Sequence, residues 1–500
     1  MARGPVALLL LSACAYAAVS AQVIRAPRIW DDAQLAEWAT PVAGLNVRPA
    51  HYSSNEYYGV APDNLRTYPF YPVSREPAGY WEWLQKQKPE PLVDPNDMRS
   101  KADWIAAGNR AFEEADALLI RSDDPALIAR ARDPQSFPNA QLQPDGSFPP
   151  LRWVVTSKGL MLSAPACSAC HRLVRLTEGR GGAPGRLPDA PPLTGARATL
   201  NRLTRFYADD TLPIAVWKEF TVPWAPDPRV EQFKSMTVAD VQALNSREQL
   251  GRSFQGGVFA RANGSPYYAT KIPDLRDLRF SRYLDATATH QLRGPEDIAR
   301  YAALVTGADK MEFGAHRILS DSQRRLRFRY ADEVLYAIGM YVMSLEPKKN
   351  PDPGPPDLLA RGEQIFEREK CARCHPAPHY TTGKLTLAEG WSVPSDHPYH
   401  ADILPVSVGT DPGAALKTRK GTGLYKIPSL RGVWSRRVLL HDGSLTTLEE
   451  LFDAARLAPD YEPTGWNPPG VVRRPVRGHE LGLSLSPEEK KVLLAFLRSL

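Results

Sequence analysis

The sequence predicts a mainly α fold made of two modules related by duplication, with an irregular aromatic- and proline-rich extension ahead of them. Three observations carry this. The run Cys167-Ser168-Ala169-Cys170-His171 returns as Cys371-Ala372-Arg373-Cys374-His375. Lys271-Ile272-Pro273-Asp274-Leu275-Arg276 returns as Lys426-Ile427-Pro428-Ser429-Leu430-Arg431. A closing helix that ends Val342-Met343-Ser344-Leu345 returns at the end of the chain as Leu497-Arg498-Ser499-Leu500. The same three features in the same order mark an internal repeat.

The first feature carries the chemistry. In C-x-x-C-H, two thiols add across the vinyl groups of a haem and the histidine sits under the iron as its proximal ligand. Composition alone would produce one such run in about a thousand chains of this kind. Every cysteine other than Cys14 belongs to one of the two runs, so none is left for a structural disulfide. A zinc site would want four N/S ligands at knuckle spacing, and a dithiol has no use for a following histidine twice. Cys167, Cys170 and His171 are therefore expected to hold one haem c, and Cys371, Cys374 and His375 a second. Both modules then read as cytochrome c-like.

In chain order, residues 1–21 read as an export signal, with Arg3, the apolar run Val6 to Leu11 and small residues through Ala21. A rival reading of Leu11-Ser12-Ala13-Cys14 is a lipoprotein box, which would acylate Cys14 and tether the protein to a membrane. Both take the chain out of the cytoplasm, and a periplasmic location suits covalent haem attachment. Residues 22–150 carry clusters such as Tyr68-Pro69-Phe70-Tyr71-Pro72 and Tyr80-Trp81-Glu82-Trp83, expected to strap across another domain's surface, and a helical pattern from Ala102 to Leu119. Residues 151–348 form the first module, closed by a helix from Asp332 to Leu345 with apolar positions at helical spacing. A proline-rich linker covers 349–356. Residues 357–500 form the second module, whose last helix starts with Ser486 as N-cap, Pro487 next and Glu489 in the capping-box position. Gly159, eight residues before Cys167, is paired with Gly362, nine before Cys371. The net charge of +6 is dispersed, with no basic stripe for nucleic acid, and no apolar run beyond the N-terminus could span a bilayer.

The sixth iron positions differ between the modules. No methionine follows Cys374, so the second haem must look to His379, His397, His400, His441 or His479. In single-haem cytochromes c the ligand comes from the loop before the closing helix, where His479 stands; His441 is the alternative. In the first module the corresponding loop, Arg324 to Arg329, has neither histidine nor methionine, so that iron is the better candidate for an open site. Asp285 and His290, just after the first K-I-P-x-L-R copy, are candidate acid and base on its distal side.

The duplicated C-x-x-C-H, the K-I-P-S-L-R run and His441-Asp442-Gly443-Ser444-Leu445-Thr446-Thr447-Leu448-Glu449-Glu450 resemble the di-haem cytochrome c peroxidase superfamily over about residues 150 to 500. Histidine in Gly478-His479-Glu480-Leu481-Gly482, the long aromatic extension and the Cys167 motif are more similar to its rubber oxygenase-like branch. The resemblance implies an N-terminal haem that reacts with peroxide or dioxygen, a C-terminal haem that passes electrons, a small periplasmic redox protein as partner and a calcium ion between the haems. The competing class is an electron carrier with both irons six-coordinate.

Overall fold

The computed structural model describes residues 23–137, 142–168, 171, 222–231, 258–259, 267–321, 324–468 and 470–500. Its longer helices are α1 (Lys101–Glu114), α2 (Pro295–Ala303), α3 (Asp332–Ser344), α4 (Pro356–Arg368) and α5 (Pro487–Ser499). Ser486 caps α5 through the Glu489 amide, with Glu489 returning the bond, as the sequence signature requires. Helix makes up 33% and strand 13% of the described residues, so these are mixed rather than mainly α. The strands are two to five residues long and join segments far apart in sequence, such as Thr67–Pro69 against Arg152–Thr156. Runs that short carry no periodicity to detect.

The duplication is visible in the backbone. Adding 155 to the numbers of the first copy gives the second. The 3₁₀ turn Leu278–Phe280 becomes Val433–Ser435. The left-handed residues Asp277, Asp285 and Ala288 become Gly432, Leu440 and Gly443. The pairing of Leu284 with His290 becomes that of Leu439 with Leu445, and α3 becomes α5. The two copies also exchange backbone bonds reciprocally: the Lys271 amide donates to the His441 carbonyl (2.8 Å), and the Lys426 amide to the Ala286 carbonyl (2.9 Å). Such reciprocity is the signature of a pseudo-twofold contact.

Helix α4 precedes the second C-x-x-C-H run and packs on α5, with Gly362 against the Val492 carbonyl and Phe496. In the first copy that role falls to α1, from the extension, with Gly108 against the Ala337 carbonyl and Tyr341. Ala337 and Tyr341 are the 155-residue counterparts of Val492 and Phe496. Gly108, not Gly159, therefore matches Gly362; Gly159 sits at a left-handed hairpin turn with open space around it. Gly108 precedes Cys167 by 59 residues because a segment is inserted after α1. That insertion closes on itself: the Ala117 amide bonds the Ala164 carbonyl and the Ala166 amide bonds Ala115 (both 2.8 Å). The chain is thus delivered to Cys167 directly beside the end of α1.

The extension is accordingly not a surface strap. Trp30, Trp38 and Tyr57 are fully buried in one core with residues of α1, α2 and α3, each large aromatic contributing roughly 3 kcal/mol through burial. The boundary at residue 150 runs through the sheet that pairs Thr67–Pro69 with Arg152–Thr156.

Candidate functional site

The second motif follows α4 through Lys370, whose left-handed φ of 63° turns the chain into a 3₁₀ turn at Cys371–Arg373. The His375 amide bonds the Cys371 carbonyl (2.9 Å), so two thiols and an imidazole share one turn. Neither Cys371 nor Cys374 is in a disulfide. Burial pushes the Cys371 thiol up to about 11 and Cys374 upward as well, which keeps both protonated and quiet toward disulfide exchange. His375 is buried and lowered to about 4, hence neutral. Its Nδ1 donates to the Tyr380 carbonyl at 3.0 Å. With that proton fixed, Nε2 carries the lone pair, the arrangement typical of a metal-ligating imidazole.

His479 and His441 are distinguished by their partners. His441 is occupied on both ring nitrogens: Nδ1 lies 3.1 Å from Thr410 Oγ1 and Nε2 3.4 Å from the Tyr425 hydroxyl. His479 stands in a tight loop, left-handed at both Gly478 (90°) and His479 (49°), with its amide bonded to the Val408 carbonyl. Its Nδ1 is buried without a partner. Burial lowers it to about 4, and His375 nearby pushes the same way, so two neutral imidazoles lie within electrostatic reach of each other. Paired thiols, a proximal imidazole of fixed tautomer and a second imidazole with an orphaned nitrogen are the donor set that a covalently held haem takes. These residues fit the group.

In the first motif, Cys167 packs against the main core, and the His171 ring lies 5.8 Å from Phe112 of α1. Cys170 and the stretch that follows His171 lie outside the described residues, as do residues 1–21 with Cys14.

Asp285 and His290 are brought together through Thr289. The Thr289 hydroxyl donates to Asp285 Oδ2 (3.0 Å), as does the Tyr301 hydroxyl. His290 Nδ1 lies 3.0 Å from the same Thr289 oxygen. Since that hydroxyl spends its proton on Asp285, His290 must donate from Nδ1, leaving a bare, buried and unpartnered Nε2. Burial holds His290 well below its usual value. Around it the structure adds groups that the sequence did not suggest. The Trp38 ring lies 4.1 Å away at a tilt of 42°, and His51, also with an unpartnered Nε2, lies 5.8 Å away. Asp309 is held by Arg419 and Lys420, both at 2.9 Å. Nothing in the spacing of His51 marks it; only its enclosure by two tryptophans does. Among the described residues no group of three or more His, Cys, Asp or Glu is arranged to hold a metal ion. No described helix is long and apolar enough to cross a membrane.

No family model matches this chain, and no curated protein does. Several solved structures are similar to it. Hydrazine synthase from Kuenenia stuttgartiensis shares 15% identity over 57% of this chain and 87% of its own, with a TM-score of 0.28. A MauG-like protein associated with microbial copper homeostasis shares 16% over 58% of this chain and 88% of its own, with a TM-score of 0.30. The diheme peroxidase BthA from Burkholderia thailandensis shares 16% over 88% of this chain and 95% of its own, with a TM-score of 0.27. Scores this low carry no argument, and the rubber oxygenase-like branch gains no support from them.

Proposed function

We propose that this chain is an exported di-haem c-type oxidoreductase of the peroxidase or oxygenase kind, with two cytochrome c-like modules. The observation that carries the reading is the orphaned His479 beside a neutral His375 of fixed tautomer, on the same turn as two thiols, in a motif that the chain holds twice. His375 and His479 would hold the C-terminal iron, and His171 the N-terminal one. Haem iron, when bound, supplies one-electron chemistry and, where a position is open, binding of peroxide or dioxygen.

The chain's own groups handle protons and order. His290 accepts a proton at its bare Nε2 and releases the one at Nδ1 to Thr289, which passes its own to Asp285. Tyr301 keeps the Asp285 carboxylate oriented. Trp38 and the surrounding core exclude bulk water from this relay. Electrons enter or leave through a small periplasmic redox protein.

The test is an EPR and absorption spectrum of the oxidised, haem-loaded protein. One low-spin signal that disappears in His479→Gly but persists in His441→Ala is expected, with a second iron that responds to peroxide or cyanide. Two irons that are both low-spin and inert to every added ligand would make the chain an electron carrier instead.

A further inference from the structure

Arg456 is fully buried, yet its guanidinium is met by backbone carbonyls rather than by a carboxylate. Nε donates to the Leu451 carbonyl (2.9 Å), Nη1 to Val476, and Nη2 to both Gly478 (2.7 Å) and His479 (3.1 Å). It reaches them from a 3₁₀ turn, Ala454–Leu457, whose start is pinned by Asp453 accepting from the Ala455 amide. Burying a cation with no carboxylate bonded to it is costly, and Glu480, Glu450 and Asp453 act on it only from a distance, so the carbonyl dipoles must be held where they offset the charge. A planar fork with several donors suits this, since one rigid group fixes four acceptors at once.

Three of those acceptors, Val476, Gly478 and His479, are the backbone of the loop that carries His479, and the fourth, Leu451, ends a neighbouring helical turn. His479 is held at φ 49° without being glycine, a left-handed conformation in which its Cβ crowds the backbone. Gly478 cannot be replaced, because a Cβ there would meet the Thr410 backbone. From the other side the Val408 carbonyl takes the His479 amide. The imidazole is thereby aimed by its own backbone.

We infer that Arg456 is a positioning residue that clamps the His479 loop so that the imidazole stays on the C-terminal haem iron. This rests on reading His479 as that iron's ligand. The clamp replaces the hydrogen bond through which a ligating histidine is more usually oriented.

The experiment uses the full, haem-loaded chain. Arg456→Lys keeps the charge but loses the fork, and Arg456→Met removes both. In each, the C-terminal haem should lose low-spin character at rest, bind carbon monoxide about 10- to 100-fold faster after reduction, and regain the low-spin spectrum on addition of imidazole. His479→Gly supplies the reference spectrum of the unligated iron. If His479→Gly leaves the low-spin signal intact, the ligand reading fails. If His479→Gly removes it while both Arg456 variants keep the wild-type spectrum and carbon monoxide rate, the clamp is refuted. A second measurement needs no variant: hydrogen exchange at the Val476 and His479 amides of the wild-type protein, which bond the Arg456 and Val408 carbonyls, should be as slow as in α5, and exchange within seconds would overturn the proposal.

Discussion

Replacing Gly108 with alanine tests whether α1 belongs to the first module. In an exposed helix the change would gain about 1 kcal/mol of propensity. Here a Cβ would stand 2.7 Å from Tyr341 Cβ and closer still to the Ala337 carbonyl, and neither is the end of a flexible side chain. Overpacking of this kind costs about 1–3 kcal/mol, and the two helices must part along their whole contact, which places the cost at the upper end. The net expectation is a loss of about 1–2 kcal/mol, or about 2–8 °C in Tm at the 2–4 °C per kcal/mol usual for domains of this size. Gly362→Ala should behave alike, since its Cβ would lie 2.7 Å from the Val492 carbonyl and against Phe496. Thermal unfolding followed at the Soret band and by far-UV circular dichroism reads both. A Gly108→Ala protein as stable as the wild type would refute the helix-pair equivalence.

Two further outcomes follow from the buried polar groups. Burial holds His51 at about 4, so the folded protein keeps it neutral while the unfolded chain takes up a proton below about 6.5. Its contribution is present above pH 6.5 and is lost as pH falls toward 4, by up to about 3 kcal/mol; urea midpoints across that range should fall more steeply in wild type than in His51→Phe, and equal slopes would exclude the effect. Asp285→Asn keeps the shape of the relay but removes its proton sink, so turnover with peroxide or dioxygen should drop about 100-fold with the resting spectrum unchanged; an unaltered rate would remove Asp285 from the reaction.

Much of the site was legible because its signals are local. C-x-x-C-H, the K-I-P-x-L-R copies and the Ser486 cap each lie within a few residues, and chain order alone placed His479 in the loop before α5. What separated His479 from His441 was hydrogen bonding to Thr410 and Tyr425, which no spacing reveals. The role of α1 was hidden for a related reason. The insertion after Glu114 moves its partner motif out of register, and Gly159 happens to fall at the distance where Gly108 would otherwise be sought. The aromatic residues of the extension read as a strap because prolines interrupt them; Trp30 and Trp38 are instead enclosed by helices that follow some 260 to 310 residues later.

The crossed bonds from Lys271 to His441 and from Lys426 to Ala286 bear on how such a chain can be taken apart. Each half finishes the other's backbone, so neither is a free-standing cassette. A protein cut within residues 349–356 would yield two fragments that each carry an unfinished edge, and the pieces would be expected to find one another in solution rather than survive apart. Swapping one half for that of a distant cousin would succeed only where both crossing points were carried along.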